Sequence, residues 1–202
     1  MPEQKKKIIL TGLGVFFVIF GIGAMDYAIY HSHPDWILFI CYLGLVIMGI
    51  GILINHPELV ASQLNILTVP LLIWLADFSY VFFSRQSLWG TTDYFFASAY
   101  PLARLISLEH FFILPLGFYA LYLLKLKKNY SIIFSLVYLP IIFVLTRFFT
   151  NPVYNINCAF RSCVSFIPTT SWYILTWFAV IVPLTFIVYL ATLLISAFKQ
   201  KI

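Results

Sequence analysis

Charge is what this sequence has least of. Only 9% of its 202 residues are Asp, Glu, Lys or Arg, and just 7 are acidic. A soluble domain carries about 25% charged residues, so that class is excluded, and such low polarity excludes a disordered chain as well. With 9 Gly and 10 Pro the chain is neither collagen-like nor dominated by linkers. Three Cys are too few for a disulfide scaffold. The apolar–polar alternation that a membrane β-strand needs is also missing.

Apolar residues make up 62% of the chain, aromatic residues 19%, and the mean hydropathy is +0.98. A hydrocarbon core of about 30 Å takes roughly 20 apolar helical residues to cross. Six segments meet that need, at about 8–30, 36–54, 63–83, 101–124, 131–149 and 172–196. The reading is an all-α integral membrane protein, one polytopic domain over 1–202, built as a bundle of six transmembrane helices. Pro34-Asp35 and Pro57-Glu58 put proline and then an acid in the first turn of a helix. There the missing N–H costs nothing and the negative charge suits the dipole. Pro101 opens the fourth helix in the same way.

The basic residues set the orientation. Lys5, Lys6, Lys7, Lys125, Lys127, Lys128, Lys199 and Lys201 fall on one side of six spans, and Arg85, Arg104, Arg147 and Arg161 on the other. The positive-inside rule makes the lysine side, with both termini, cytoplasmic, and the plasma membrane is the expected location. The net charge of +5 is therefore a topology signal, and no nucleic-acid partner is expected. Lysines followed by an apolar run also fit a signal peptide, but the run is too long, so an uncleaved first helix is expected.

Two acids lie inside spans, Asp77 and Glu109, where an ionised group is costly and faces other helices. If the third span starts near Ile66, Asp77 lies roughly 13 Å below the outer edge, and counting from Pro101 puts Glu109 about 12 Å below it. The two carboxylates are thus expected at one level. Pro70, Trp74, Asp77, Tyr80 and Ser84 form a stripe at helical spacing that should face inward. The positions sharing Glu109's face are apolar, so its partner is sought on another helix, with Arg147 the natural candidate. Arg104 and His110 point elsewhere around the fourth helix. Asp77, Arg104, Glu109, His110 and Arg147 are the candidate binding residues. Two acids, two arginines and a histidine in one half exceed what a single packing ion pair requires.

His31, His33, Asp26 and Asp35 cluster around the first outer loop, but no metal-binding motif accompanies them, so no metal and no cofactor are expected. Cys158 and Cys163 lie in a loop with Asn151, Asn155 and Asn157, on the oxidising side, and are the disulfide candidate; Cys41 lies within the second span. The loop from Ser87 to Phe96 is too apolar for open solvent and is read as lying in the interface, a lid being the alternative. Pro70, Pro115, Pro140 and Pro183 fall inside spans. The first helix lacks a Gly-x-x-x-Gly spacing, so no dimer face is expected from it.

In size, span number and inside termini the chain is similar to the substrate-binding subunits of energy-coupling-factor vitamin transporters. That likeness is one of format and carries no site residues. The functional expectation is a membrane protein with an outward-facing polar pocket that binds or transports an anionic small molecule or lipid head group. Arg104 and Arg147 would hold the anion and the two acids would orient them. The alternatives are an enzyme acting on a lipid or isoprenoid at the outer leaflet, with Glu109 and His110 as acid and base, or a non-catalytic subunit or assembly factor. Membrane lipids are expected partners in each case, and a membrane-protein partner in the last.

Overall fold

The computed structural model describes residues 1–97, 101–126 and 130–199, which are all-helical, with no strand among them. Six apolar helices form the bundle: α1 (Glu3–Tyr30), α2 (Ile40–Leu53), α3 (Pro57–Ser84), the pair α5 (Pro101–Ser107) and α6 (Glu109–Leu124), α7 (Ser131–Phe149) and α8 (Tyr173–Lys199). A short α4 (Asp93–Ala97) precedes α5, and single 3₁₀ turns cover Pro34–Leu38 and Ile156–Cys158. Five of the six segments are long and apolar enough to cross a membrane; α2, with 14 residues, is about 21 Å long. Prolines open α3, α5 and the first 3₁₀ turn, as their fixed φ favours.

The central helix is α3. Val60 to Leu67 are buried on every side of it, so its first turns are surrounded by protein rather than lipid. One apolar cluster joins Leu10 and Phe17 of α1, Leu45, Met48 and Ile52 of α2, Leu64 and Leu67 of α3, and Ile113 and Leu121 of α6. A second joins Ile66 of α3 to Leu139 and Phe143 of α7 and to Tyr173 and Trp177 of α8. Large apolar side chains such as Ile19, Leu72, Phe83, Ile133 and Leu175 are left exposed, forming the surface that lipid would cover.

Close approach of α1 and α2 depends on glycine. A Cβ at Gly49 would stand 2.8 Å from the Gly14 carbonyl oxygen, and one at Gly14 would stand 3.0 Å from that of Gly49. Gly14 and Gly21 sit seven apart on the buried face of α1, a wider spacing than Gly-x-x-x-Gly, and they seat α2 within the same chain. Polar bonds lock α3 to α7: Asn65 Nδ2 donates to Ser131 Oγ (3.1 Å), and Ser135 Oγ donates to the Ser62 carbonyl (3.0 Å).

Asn157 organises the end of the bundle nearest the last loop. Its Oδ1 accepts from the Ile40 N–H at the start of α2 (2.9 Å), while its Nδ2 donates to the Leu38 carbonyl (2.7 Å) and to Thr146 Oγ1 of α7 (3.0 Å). Its own carbonyl accepts from Trp177 Nε1 of α8 (3.1 Å). Asn157 adopts the left-handed backbone that asparagine tolerates (φ 54°). Asp35 accepts from the Asn151 N–H, and His33 stacks on Trp36 with Tyr154 against its edge. The first and last loops are therefore stapled together, and His33 is engaged in ring contacts within that staple.

Candidate functional site

The fourth span is two helices. The Leu108 N–H bonds the Leu105 carbonyl (3.2 Å) and the Phe111 N–H bonds the Leu108 carbonyl (3.1 Å), both three residues back rather than four. This tightening frees the Ser107 carbonyl, whose α-helical partner would have been the Phe111 N–H. His110 Nδ1 takes that carbonyl at 2.7 Å. A carbonyl only accepts, so Nδ1 carries the proton and Nε2 keeps its lone pair. The break also makes Glu109 the first residue of α6. Glu109 and His110 are consecutive residues of α6, so their Cβ atoms still diverge by about 100°, yet both side chains contribute to one centre.

The third member comes from α2. Cys41 Sγ, a Glu109 carboxylate oxygen and a His110 ring nitrogen all lie within 4.8 Å of one another. Glu109 has no exposed surface, and its oxygens meet no nitrogen or hydroxyl donor among the described residues; the Cys41 thiol, a weak donor, is their polar neighbour. Cys41 is in the first turn of α2, whose N-terminus carries a partial positive charge that favours negative charge here. Trp74 of α3 stacks on the His110 ring (centroids 4.4 Å apart, planes 18°) and donates its Nε1–H to Tyr94 Oη (3.1 Å). The Tyr94 ring is half exposed while its hydroxyl points inward, and desolvation there pushes the phenol up to about 12. The Tyr138 hydroxyl is buried with no hydrogen-bond partner among the described residues.

No family model, curated protein or solved structure matches this chain. The reading of the centre rests on its own chemistry.

Asp77 is fully buried, but its oxygens are committed elsewhere. Oδ1 accepts from the Leu88 and Trp89 N–H groups (2.8 and 3.0 Å), and Oδ2 from the Thr92 N–H and the Thr91 and Thr92 hydroxyls (each 2.9 Å). The segment after Ser84 therefore folds back along α3 over the seven residues from Ser84 to Asp77, about 10 Å of helix, and is strapped there. Gly90, at φ +79°, supplies the turn that this return path needs. Of the expected inward stripe, only Trp74 and Asp77 are buried; Tyr80 and Ser84 are exposed.

The arginines lie on the rim. Arg104 is exposed and donates to the Phe96 carbonyl (3.3 Å). Arg147, also exposed, donates to the Ala159 carbonyl (3.1 Å) and lies 4.8 Å from the Phe160 ring centroid. Among the described residues Arg147 makes no ion pair, so the link to Glu109 expected from the sequence is replaced by a clamp on the last loop. Cys158 and Cys163 form a disulfide in that loop, which leaves Cys41 as the free cysteine. Of the five candidate binding residues, the fold brings Glu109 and His110 together, adds Cys41, and ties Asp77, Arg104 and Arg147 into loop contacts. The sequence placed Cys41 in a span but held no spacing signal linking it to a residue 68 positions away.

Proposed function

We propose that this chain is a small polytopic membrane protein that binds, and moves or acts upon, a positively charged ligand at the Glu109 centre within its bundle. The observation that carries this reading is the fully buried Glu109 carboxyl, whose two oxygens meet no nitrogen or hydroxyl donor among the described residues and have only the weakly donating Cys41 thiol beside them. A buried carboxylate without a counter-charge is costly, and a cation arriving from outside supplies one. An anionic small molecule or lipid head group held by Arg104 and Arg147 fits less well. Arg104 donates to a carbonyl of α4 and Arg147 to one of the last loop, and an anion near Glu109 would meet like charge. Transport is the form of action we favour. The lysine distribution supports cytoplasmic termini in a cell membrane, which would put the centre in the outer half. The convergence of Glu109 and His110 on one point favours a second reading, acid–base catalysis on a lipid or isoprenoid.

Tryptophan fluorescence tests the first reading, because Trp74 lies on the His110 ring. Protein in mild detergent is titrated with potassium, methylammonium, divalent metal ions, phosphate and acetate, with Trp74→Phe used to assign the signal. A saturable response to a cation that disappears in Glu109→Gln, with melting unchanged, supports the reading. A response to phosphate or acetate that disappears in Arg147→Ala overturns it in favour of an anion pocket. No response to any probe moves the function to a subunit or assembly role with a membrane-protein partner. Turnover of an added isoprenoid or lipid, lost in Glu109→Gln, would establish the enzyme instead.

A further inference from the structure

We infer that Cys41, Glu109 and His110 bind one transition-metal dication of the zinc type and leave one coordination position open. This rests on the cation reading above and narrows it to a ligand class. An organic ammonium ion needs room around it, whereas donor atoms within 4.8 Å of one another enclose space for a single atom. Tetrahedral zinc, with bonds of about 2.0–2.3 Å, places its donors roughly 3.5 Å apart, so closure takes side-chain shifts of about 1 Å.

The donor set selects the metal. Thiolate, imidazole and carboxylate together suit zinc or cobalt, while magnesium and calcium require oxygen donors throughout. Charge balances too: one thiolate and one carboxylate neutralise a dication, so the complex within the bundle carries no net charge. The surroundings already have the form of an outer ligand shell. His110 donates Nδ1–H to a backbone carbonyl, the usual means of fixing a metal-binding imidazole, and Nε2 is left with the coordinating lone pair. The Trp74 ring holds the plane of that imidazole. Glu109 supplies the independent sign of a missing ligand, since it is wholly buried and its oxygens meet no nitrogen or hydroxyl donor among the described residues, only the Cys41 thiol that a metal would deprotonate. Three protein donors with a fourth position open is the pattern of sites that bind or activate a further molecule rather than of closed structural zinc sites.

Cobalt is the probe. Full-length protein in mild detergent, stripped with chelator, is titrated with Co²⁺. The expected result is one equivalent bound, with visible bands of a four-coordinate ion and a thiolate-to-cobalt charge-transfer band in the near ultraviolet. Cys41→Ser should abolish the charge-transfer band, and Glu109→Gln and His110→Ala should each weaken binding by at least about 10-fold. A measurement on the unaltered protein guards against variants that fail to fold. With Cys158 and Cys163 bonded, maleimide labelling reports Cys41 alone, and equimolar Zn²⁺ should slow it at least about 10-fold. Absence of the charge-transfer band in the unaltered protein, or labelling that is indifferent to zinc, overturns the metal site. If Trp74 then still responds to potassium or methylammonium in a manner dependent on Glu109, the cation reading stands without the metal. If that response is also absent, both fall.

Discussion

Replacing Asp77 separates a structural staple from a ligand-binding acid. In Asp77→Ala the Leu88, Trp89 and Thr92 N–H groups lose their acceptor together with two threonine hydroxyls. A hydrogen bond to a charged group contributes about 1.5–3 kcal/mol, but these bonds share one acceptor and do not add. Leu88 is exposed and its N–H can turn to water, whereas Thr92 is fully buried and its N–H cannot. The net expectation is a loss of about 3–4 kcal/mol. In Asp77→Asn the retained oxygen can keep the Leu88 and Trp89 bonds, and the new amide can donate to a threonine hydroxyl. Only the Thr92 N–H is then opposed, for about 1–2 kcal/mol. At about 2–4 °C per kcal/mol for a chain of this size, the alanine variant should melt roughly 6–16 °C below the unaltered protein, with the asparagine variant between them. Thermal melting in mild detergent measures the order, and hydrogen exchange of the 85–92 peptide should rise in step with it. An alanine variant that melts within about 2 °C of the parent and leaves exchange unchanged would refute the strap. Loss of the cation response in Asp77→Asn at unchanged melting would return Asp77 to the binding site.

Other expectations follow from the packing and the last loop. Gly49→Leu forces a side chain against the Gly14 backbone and should cost at least about 1–3 kcal/mol, read as lower folded yield and earlier melting, while Gly12→Leu, which meets open space, should be neutral. Asn157→Ala uncaps α2 and removes bonds to Leu38 and Thr146; a loss of about 2–3 kcal/mol is expected, and Cys41 should label faster with maleimide as the start of α2 loosens. Reducing Cys158–Cys163 should expose two further thiols and lower stability by about 2 kcal/mol, the value chain entropy assigns to so short a loop, checked by thiol counting and melting.

The six apolar segments were legible because about 20 apolar residues in a row have few other uses, and proline marked where α3 and α5 begin. Three features were not. Glu109 and His110 diverge at Cβ as helix neighbours, which does not show that their side-chain ends meet, and nothing in the run Leu105-Ile106-Ser107-Leu108 announces the 3₁₀ turn that frees the Ser107 carbonyl for His110. The prolines that invite a kink, Pro70, Pro115, Pro140 and Pro183, all lie within uninterrupted helices. Asp77 and Glu109 share an expected depth, but depth does not show that the backbone of residues 88–92 would reach one of them first. Counting basic residues located Arg147 at a helix end, and it could not show that the nearest acceptor there would be the Ala159 carbonyl.

The role of Asn157 has a consequence for how the molecule is made. The Ile40 amide and the Asn157 side chain that caps it are separated by 117 residues. At roughly 5–20 residues per second, the start of α2 therefore waits on the order of ten seconds after synthesis for its partner. Until the last loop arrives and settles onto Thr146 and Trp177, the first turn of α2, which carries Cys41, has no anchor on that side. The centre formed by Cys41, Glu109 and His110 is thus among the last parts of the protein to mature. A nascent chain stalled before residue 157 would hold the thiol, the acid and the imidazole, each already made, with the start of α2 still unanchored.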